Sequence, residues 1–332
     1  MAITYATREQ VASAFDSMSA FLDATIDRLV EQASRNADRA CNRRFYPLTA
    51  TRTFPWPSRG AVWLPDDLLT ATTVALDGTT VTGHVLEDAF LGAPYDRIDF
   101  SDASRHAGEE VTITGTWGYS NDTRPAGALA AAMSDTTGTT AVVTNSALVG
   151  VGDLLLVDSE RLEVTGKTAS TTGTTTSEAV HDETWSVAIP VASGAAVNVG
   201  ETILVDSERM RVVGITGNTL TVIRAVDGSV LAYHGTGSTV SAYRTLTVVR
   251  AAAGTTAATH NQGAAVVRNF PPPLITELVI ADAASTLGRE QAGWSDTTGS
   301  GESQRATPGV SFGDLLYRAL KLYRRNRIGE AV

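Results

Sequence analysis

Apolar residues at Leu22, Ile26, Leu29, Val30, Ala33, Ala37 and Cys41 recur at the spacing of one helical face, with Asp23, Asp27, Arg28, Glu31, Arg35 and Asp38 on the other side. Upstream, Thr7 and Gln10 have the spacing of a capping box and predict a short helix through Phe15. The longer helix runs into Asn42-Arg43-Arg44-Phe45-Tyr46-Pro47, where proline forbids continuation and the basic residues suit the negative end of the helix dipole. Strand patterns follow at Thr51 to Trp56, Ala61 to Leu64, Thr72 to Leu76 (closed by Asp77-Gly78) and Val111 to Tyr119. A second helix is predicted after Pro271-Pro272-Pro273, with Leu274, Ile275, Leu278 and Ala281 on one face.

Between these helical parts the pattern changes. Residues 128–268 are rich in Thr, Gly, Val and Ser, show no amphipathic helix, and contain two repeats. Val157-Asp158-Ser159-Glu160-Arg161 recurs as Val205-Asp206-Ser207-Glu208-Arg209, and Thr219 to Arg224 recurs as Thr245 to Arg250. His234 and His260 follow at matching distances, so duplicated small barrels or sandwiches are expected. Past Gly293 a Ser/Thr/Gly-rich stretch (293–308) reads as a flexible linker before a basic, aromatic helix over 314–327. The expected fold is therefore α+β: a small helical bundle with a short β-sheet (1–127 and 269–332), interrupted by an all-β insert of duplicated modules (128–268).

Composition narrows the class. The chain has 332 residues, 43% hydrophobic and 19% charged, which excludes a disordered polymer. No apolar run is long enough to cross a membrane as a helix, and the N-terminus lacks a signal-peptide pattern, so synthesis in the cytoplasm is expected. Cys41 is the single cysteine, which leaves no internal disulfide and is expected to pack as a small apolar group. The formal charge of −10 argues against gripping nucleic acid over the whole surface.

Three constellations carry candidate chemistry. Asp158/Glu160 and Asp206/Glu208 have the make-up of a glycosidase pair or calcium ligands, or of plain solvated turns with their carboxylates at the hairpin tips; duplication favours the turns. His234 and His260 could meet at a metal, but no third ligand is spaced for it, and packing histidines are the expected outcome. No nucleophile elbow, phosphate loop or dinucleotide fingerprint occurs, so neither an enzyme nor a cofactor is called for. On the last helix Leu316, Tyr317, Leu320 and Tyr323 are interleaved with Arg324, Arg325 and Arg327, which fits either docking onto a partner or the usual basic helix end.

The order of Ala40 to Pro47, Thr51 to Phe54, Leu64-Pro65-Asp66-Asp67-Leu68-Leu69, Thr114 to Tyr119 and a proline-led helix resembles the head-to-tail connector, or adaptor, proteins of tailed bacteriophages. The resemblance covers roughly residues 5–120 and 270–330. It implies a non-enzymatic subunit of a ring, typically dodecameric, in the virion neck. Such a ring sits beneath the portal, meets a tail-side neck protein and lets genomic DNA pass without sequence-specific binding. It also implies that Leu316, Tyr317, Leu320, Tyr323, Arg324, Arg325 and Arg327 dock onto the portal. The repeat insert is not part of that pattern. A surface adhesin or glycan-binding module with an oligomerising helical base is the alternative.

Overall fold

The computed structural model describes residues 3–14, 23–56, 62–88, 92–100, 109–185, 187–291, 297–298, 305–306 and 312–325. They divide into two compact units, one formed by Met1–Glu31, Arg124–Ala252 and Thr256–Arg268, the other by Gln32–Thr123, Ala253–Thr255 and Asn269–Val332. The N-terminal residues therefore group with the repeat region, whereas the sequence pattern assigned them to the helical part.

In the second unit the expected small helical bundle with a short sheet is overturned. Its centre is a six-stranded antiparallel sheet built from β1 (Leu48–Pro55), β2 (Val62–Leu76), β3 (Thr79–Thr80), β4 (His84–Asp88), β5 (Tyr95–Phe100) and β6 (Glu110–Trp117). The order is β1-β6-β2-β5-β4, with β3 paired to β2. Two features hid this sheet. The segments read as separate strands around Leu64 and Thr72 are one long strand, β2, which runs through Pro65-Asp66-Asp67 and absorbs the break in alternation as bulges. The short strands β4 and β5 mix charged residues into their pattern: β4 lies at an edge, and the buried positions of β5 reduce to Ile98 and Phe100. Trp56, Leu64, Leu68, Val74, Ile98, Ile113 and Trp117 form the buried core, and the Trp117 indole N–H donates to the Ala50 carbonyl at 3.0 Å.

The helices follow the apolar periodicity. In α1 (Arg8–Ala12) both arms of the Thr7/Gln10 capping box are present; Phe15 lies outside the described residues. In α2 (Asp23–Cys41) Ile26, Leu29, Val30, Ala33, Ala37 and Cys41 are all buried, and burial pushes the Cys41 thiol up to about 11, an unreactive group. In α3 (Pro273–Gln291) Leu274, Ile275, Leu278 and Ala281 are buried, and Asn36 of α2 donates to Asp282 at 3.0 Å. The last helix, α4 (Phe312–Tyr323), packs against α3.

The repeat unit holds one continuous ten-stranded antiparallel sheet where separate duplicated barrels or sandwiches were expected. Its strands are β7 (Thr123–Ala128), β8 (Thr140–Val142), β9 (Leu154–Val157), β10 (Glu160–Thr175), β11 (Ala188–Pro190), β12 (Thr202–Val205), β13 (Glu208–Thr216), β14 (Thr219–Ile223), β15 (Thr239–Val249) and β16 (Ala265–Asn269). Two modules lie within it, with equivalent strand orders β8-β15-β10-β9-β16 and β11-β14-β13-β12-β15. Their arrangement is nested. In the second module, β13 and β14 close as a tight hairpin with Thr216 opposite Thr219. In the first, the equivalent pair is Thr168 opposite Thr245, and everything between them is the second module. Both hairpins carry the same bulge, between Val164 and Gly166 and between Val212 and Gly214. Within this unit the parent module therefore comprises residues 129–168, 245–252 and 256–268, and the nested module residues 169–244. Each has its own apolar core, Leu155, Val157, Leu162, Val164 and Leu246 in one and Ile203, Val205, Met210, Val212 and Leu220 in the other.

Candidate functional site

The repeated charged residues meet in two equivalent clusters. Each Asp-Ser pair forms the hairpin turn, with the aspartate in the left-handed region (Asp158 φ 51°, Asp206 φ 50°), a conformation aspartate tolerates better than most side chains. The following glutamate does not point to solvent from the tip, as the sequence pattern suggested. Glu160 and Glu208 are both 0% exposed. In the nested module Arg224 donates Nε to Glu208 Oε1 and Nη2 to Oε2, both at 2.7 Å, and the Ala225 and Ala232 amides donate to the same two oxygens at 3.0 Å. His234 sits between Asp206, 2.7 Å from Nδ1, and Glu208, 2.9 Å from Nε2.

The parent module repeats this with Arg250, Ala251, Ala258, His260 and Asp158 around Glu160. Burial alone would push each glutamate up. The arginine hydrogen bonds, with those from amides and histidine, outweigh it and hold both at about 2. A bidentate guanidinium–carboxylate pair with these additional donors is the arrangement that offsets the cost of burying charge.

This geometry decides among the sequence alternatives. The two histidines do not meet each other; each belongs to its own module. Both glutamate oxygens and both ring nitrogens are spent inside the cluster, so the glutamate and histidine hold no open position for a cation and no free acid–base pair for a sugar bond, while the aspartate stays more than half exposed. The clusters are clamps that tie the Asp-Ser hairpin to the loop after the arginine. Sequence reasoning missed Arg224 and Arg250 as partners, although both end the second repeat. Their link to the first repeat is a tertiary contact that spacing does not reveal.

The predicted docking residues lie on and just after α4. Leu316 and Leu320 are half-buried, Ala319 is buried, and Tyr317 is 68% exposed with Arg318, Lys321 and Arg324 also on the surface. Tyr323 turns inward, 5.6 Å from the Phe45 ring and 5.3 Å from the Tyr119 ring, both edge-on. Beyond the helix the Arg325 amide donates to the Cys41 carbonyl at 2.9 Å, and its Nη2 donates to the Leu64 carbonyl at 2.6 Å. Arg327 and most of the stretch read as a linker lie outside the described residues; within that stretch β17 (Thr297–Thr298) pairs with β18 (Arg305–Ala306).

Around Tyr323 and Arg325 the dispersed motifs of the chain converge. Arg43 donates to buried Asp67 at 2.8 Å and lies 5.0 Å over the Tyr119 ring, while Arg52 pairs with Asp66 at 2.8 Å. The Arg325 guanidinium lies 3.7 Å from Asp67 and 3.8 Å from Asp66. Burial pushes the Asp67 carboxyl up against the pull of Arg43 and Arg325, and burial likewise raises the Tyr119 and Tyr323 hydroxyls. Gly118 closes the node: its φ is 136°, and a Cβ there would sit 2.3 Å from the Tyr46 carbonyl oxygen.

No family model matches this chain, and no curated protein matches it significantly.

Proposed function

We propose that the chain is a non-enzymatic structural adaptor of a tailed-phage neck, a subunit of a ring that lies beneath the portal and passes DNA toward a tail-side neck protein. The observation that carries this reading is the node just described. Asn42 to Pro47, Asp66-Asp67 and Gly118-Tyr119, which are among the segments on which the resemblance to connector proteins rests, are scattered along the chain and pack with the C-terminal segment into one aromatic and ionic cluster. A motif set that meets in space has a shared structural reason for its order along the sequence.

The geometry also refines the docking set. Tyr323 and Arg325 serve their own subunit, which leaves Tyr317, Arg318, Lys321, Leu322 and Arg324 as the surface a portal would meet. The net charge of −10 suits a channel wall from which DNA must slide free. Purified chain mixed with its portal should give multi-subunit rings by electron microscopy and native mass measurement. Tyr317→Ser with Leu322→Ser should weaken that association by about tenfold or more without loss of helix. A chain that stays monomeric with the portal present would overturn the proposal.

A further inference from the structure

Three cations stand together on the outer side of α4. Tyr317, Arg318, Lys321, Leu322 and Arg324 are all exposed, Tyr317 by 68% and Leu322 by 63%. At 3.6 residues per turn these positions share one side of the helix, and the stripe extends past Tyr323 because the Arg324 amide still donates to the Leu320 carbonyl at 3.2 Å. Lys321 lies one turn from Tyr317 and Leu322 one turn from Arg318, so each exposed apolar side chain has a cation beside it. Asp314, in the first turn, is the only carboxylate on the helix. The helix that α4 packs against, α3, carries Glu277, Asp282, Arg289 and Glu290, yet among the described residues no ion pair engages Arg318, Lys321 or Arg324. Arg325 differs: the Leu64 carbonyl, Asp66 and Asp67 hold it, and it takes no part in the stripe.

We propose that this stripe binds an acidic protein surface. On the adaptor reading, on which this inference rests, that surface belongs to the portal: its carboxylates meet Arg318, Lys321 and Arg324, and apolar side chains between them cover Tyr317 and Leu322. Charge complementarity selects such a partner. Unpaired cations on a chain of net charge −10 make a local field opposite in sign to that of the molecule as a whole. An acidic partner is repelled by the body and attracted where α4 points, so the charges that strengthen the contact also fix its orientation. Nucleic acid fits the stripe less well. Phosphate binding draws on many clustered cations and gains nothing from an exposed leucine, whereas a protein surface can cover one.

The test measures binding of the full-length chain to purified portal at about 0.05 and 0.5 M salt. Affinity should fall at the higher salt. R318Q/K321Q/R324Q should weaken binding about tenfold and R318E/K321E/R324E about a hundredfold, with an unchanged melting temperature because none of the three is paired within its own chain. Wild-type binding that ignores salt and survives the charge reversal would overturn this inference and leave the adaptor reading standing. A chain that never binds the portal would overturn both. Two further measurements on the charge-reversed variant separate the other occupants. Loss of ring mass with the portal absent would make the stripe a contact between copies, and binding of duplex DNA by the wild type that the variant loses would make it a nucleic-acid site; either result overturns the proposal.

Discussion

The parent and nested modules share strand order, bulge position, apolar core and the Glu-Arg-His-Asp clamp, yet differ at one buried carboxylate and along the loops beyond the arginine. At the position after Gly152 the parent has Asp153, while the position after Gly200 in the nested module holds Glu201. Asp153 receives the Gly150 amide at 2.7 Å and has Arg268 only at 3.8 Å. Glu201 holds Arg244 through two hydrogen bonds, at 2.8 and 2.6 Å. What both copies keep is what the fold requires: alternating apolar positions and a saturated buried glutamate. What they change, Asp153 against Glu201 and Thr259 against Tyr233, is available to tune stability or recognition.

The largest effect should come from breaking one clamp at a time. Glu208→Ala removes the partner of buried Arg224 and should cost the nested module about 3–5 kcal/mol, leaving the parent protected in hydrogen exchange. Glu160→Ala costs its own module a similar amount, but the nested module is built on the continuations of β10 beyond Thr168 and of β15 before Thr245, whose other ends belong to the parent. Exchange should therefore rise in both. Equal and confined effects from the two substitutions would mean that nesting has no energetic consequence.

How far the sequence leads is clear from these same residues. Thr7 with Gln10, the Ile26-to-Cys41 stripe and the Leu274-to-Ala281 stripe mark helices by local spacing alone, and each forms, although the first stops at Ala12, capped by Ser13, short of the expected end at Phe15. The Val-Asp-Ser-Glu-Arg repeats mark two modules. Their nesting was hidden because which half belongs to which is settled by Glu160 meeting Arg250 and Glu208 meeting Arg224. The six-stranded sheet escaped because β2 runs through Pro65-Asp66-Asp67, whose charges are met by Arg43, Arg52 and Arg325, contacts no periodicity encodes. The candidate docking residues were visible as a stripe, but that Tyr323 packs within its own chain depends on Phe45 and Tyr119, far away in sequence.

An intermediate effect separates the modules by pH. Burial pushes Asp153 up to about 6 from an ordinary 3.8, so the folded parent module binds a proton that the unfolded chain releases. Its stability should rise by about 1 kcal/mol as pH falls from about 7 to 5. The Glu201 carboxyl is shifted the other way: burial opposes ionisation, but the Arg244 hydrogen bonds with the Ser146 and Asn198 amides overcome it. A lowered folded value gives stability that is full above the unfolded value and lost below it, so the nested module should be flat over that interval. Below about 4.5 both modules should weaken as Glu160 and Glu208 approach their values of about 2. Module-resolved hydrogen exchange across this range checks the pattern, and Asp153→Asn should abolish the parent's rise alone.

An effect no larger than that should follow the largest change in sequence, excision of the nested module. Thr168 opposite Thr245 occupies the register that Thr216 opposite Thr219 occupies in the nested hairpin, with the same bulge beside it. Joining Thr168 to Thr245 through Gly-Asn, the dipeptide at Gly217-Asn218, should let the parent hairpin close as its copy does. Replacing a long insertion whose ends are already held together by a two-residue turn changes closure entropy little. The definite losses are the Asn198 side-chain bond to the Thr144 carbonyl, at 3.1 Å, and those of Ser146, whose amide and hydroxyl both donate to Glu201, at 2.9 and 3.0 Å. The freed groups become exposed to water on excision, so the expected cost to the parent module is about 1 kcal/mol. Calorimetry of the shortened chain should show one transition fewer, with the parent's melting temperature lowered by only a few degrees. A parent module that unfolds on excision would show that the β10–β15 pairing beyond Thr168, from Ser170 to Thr175, is part of its core, and the two copies would then be one folding unit.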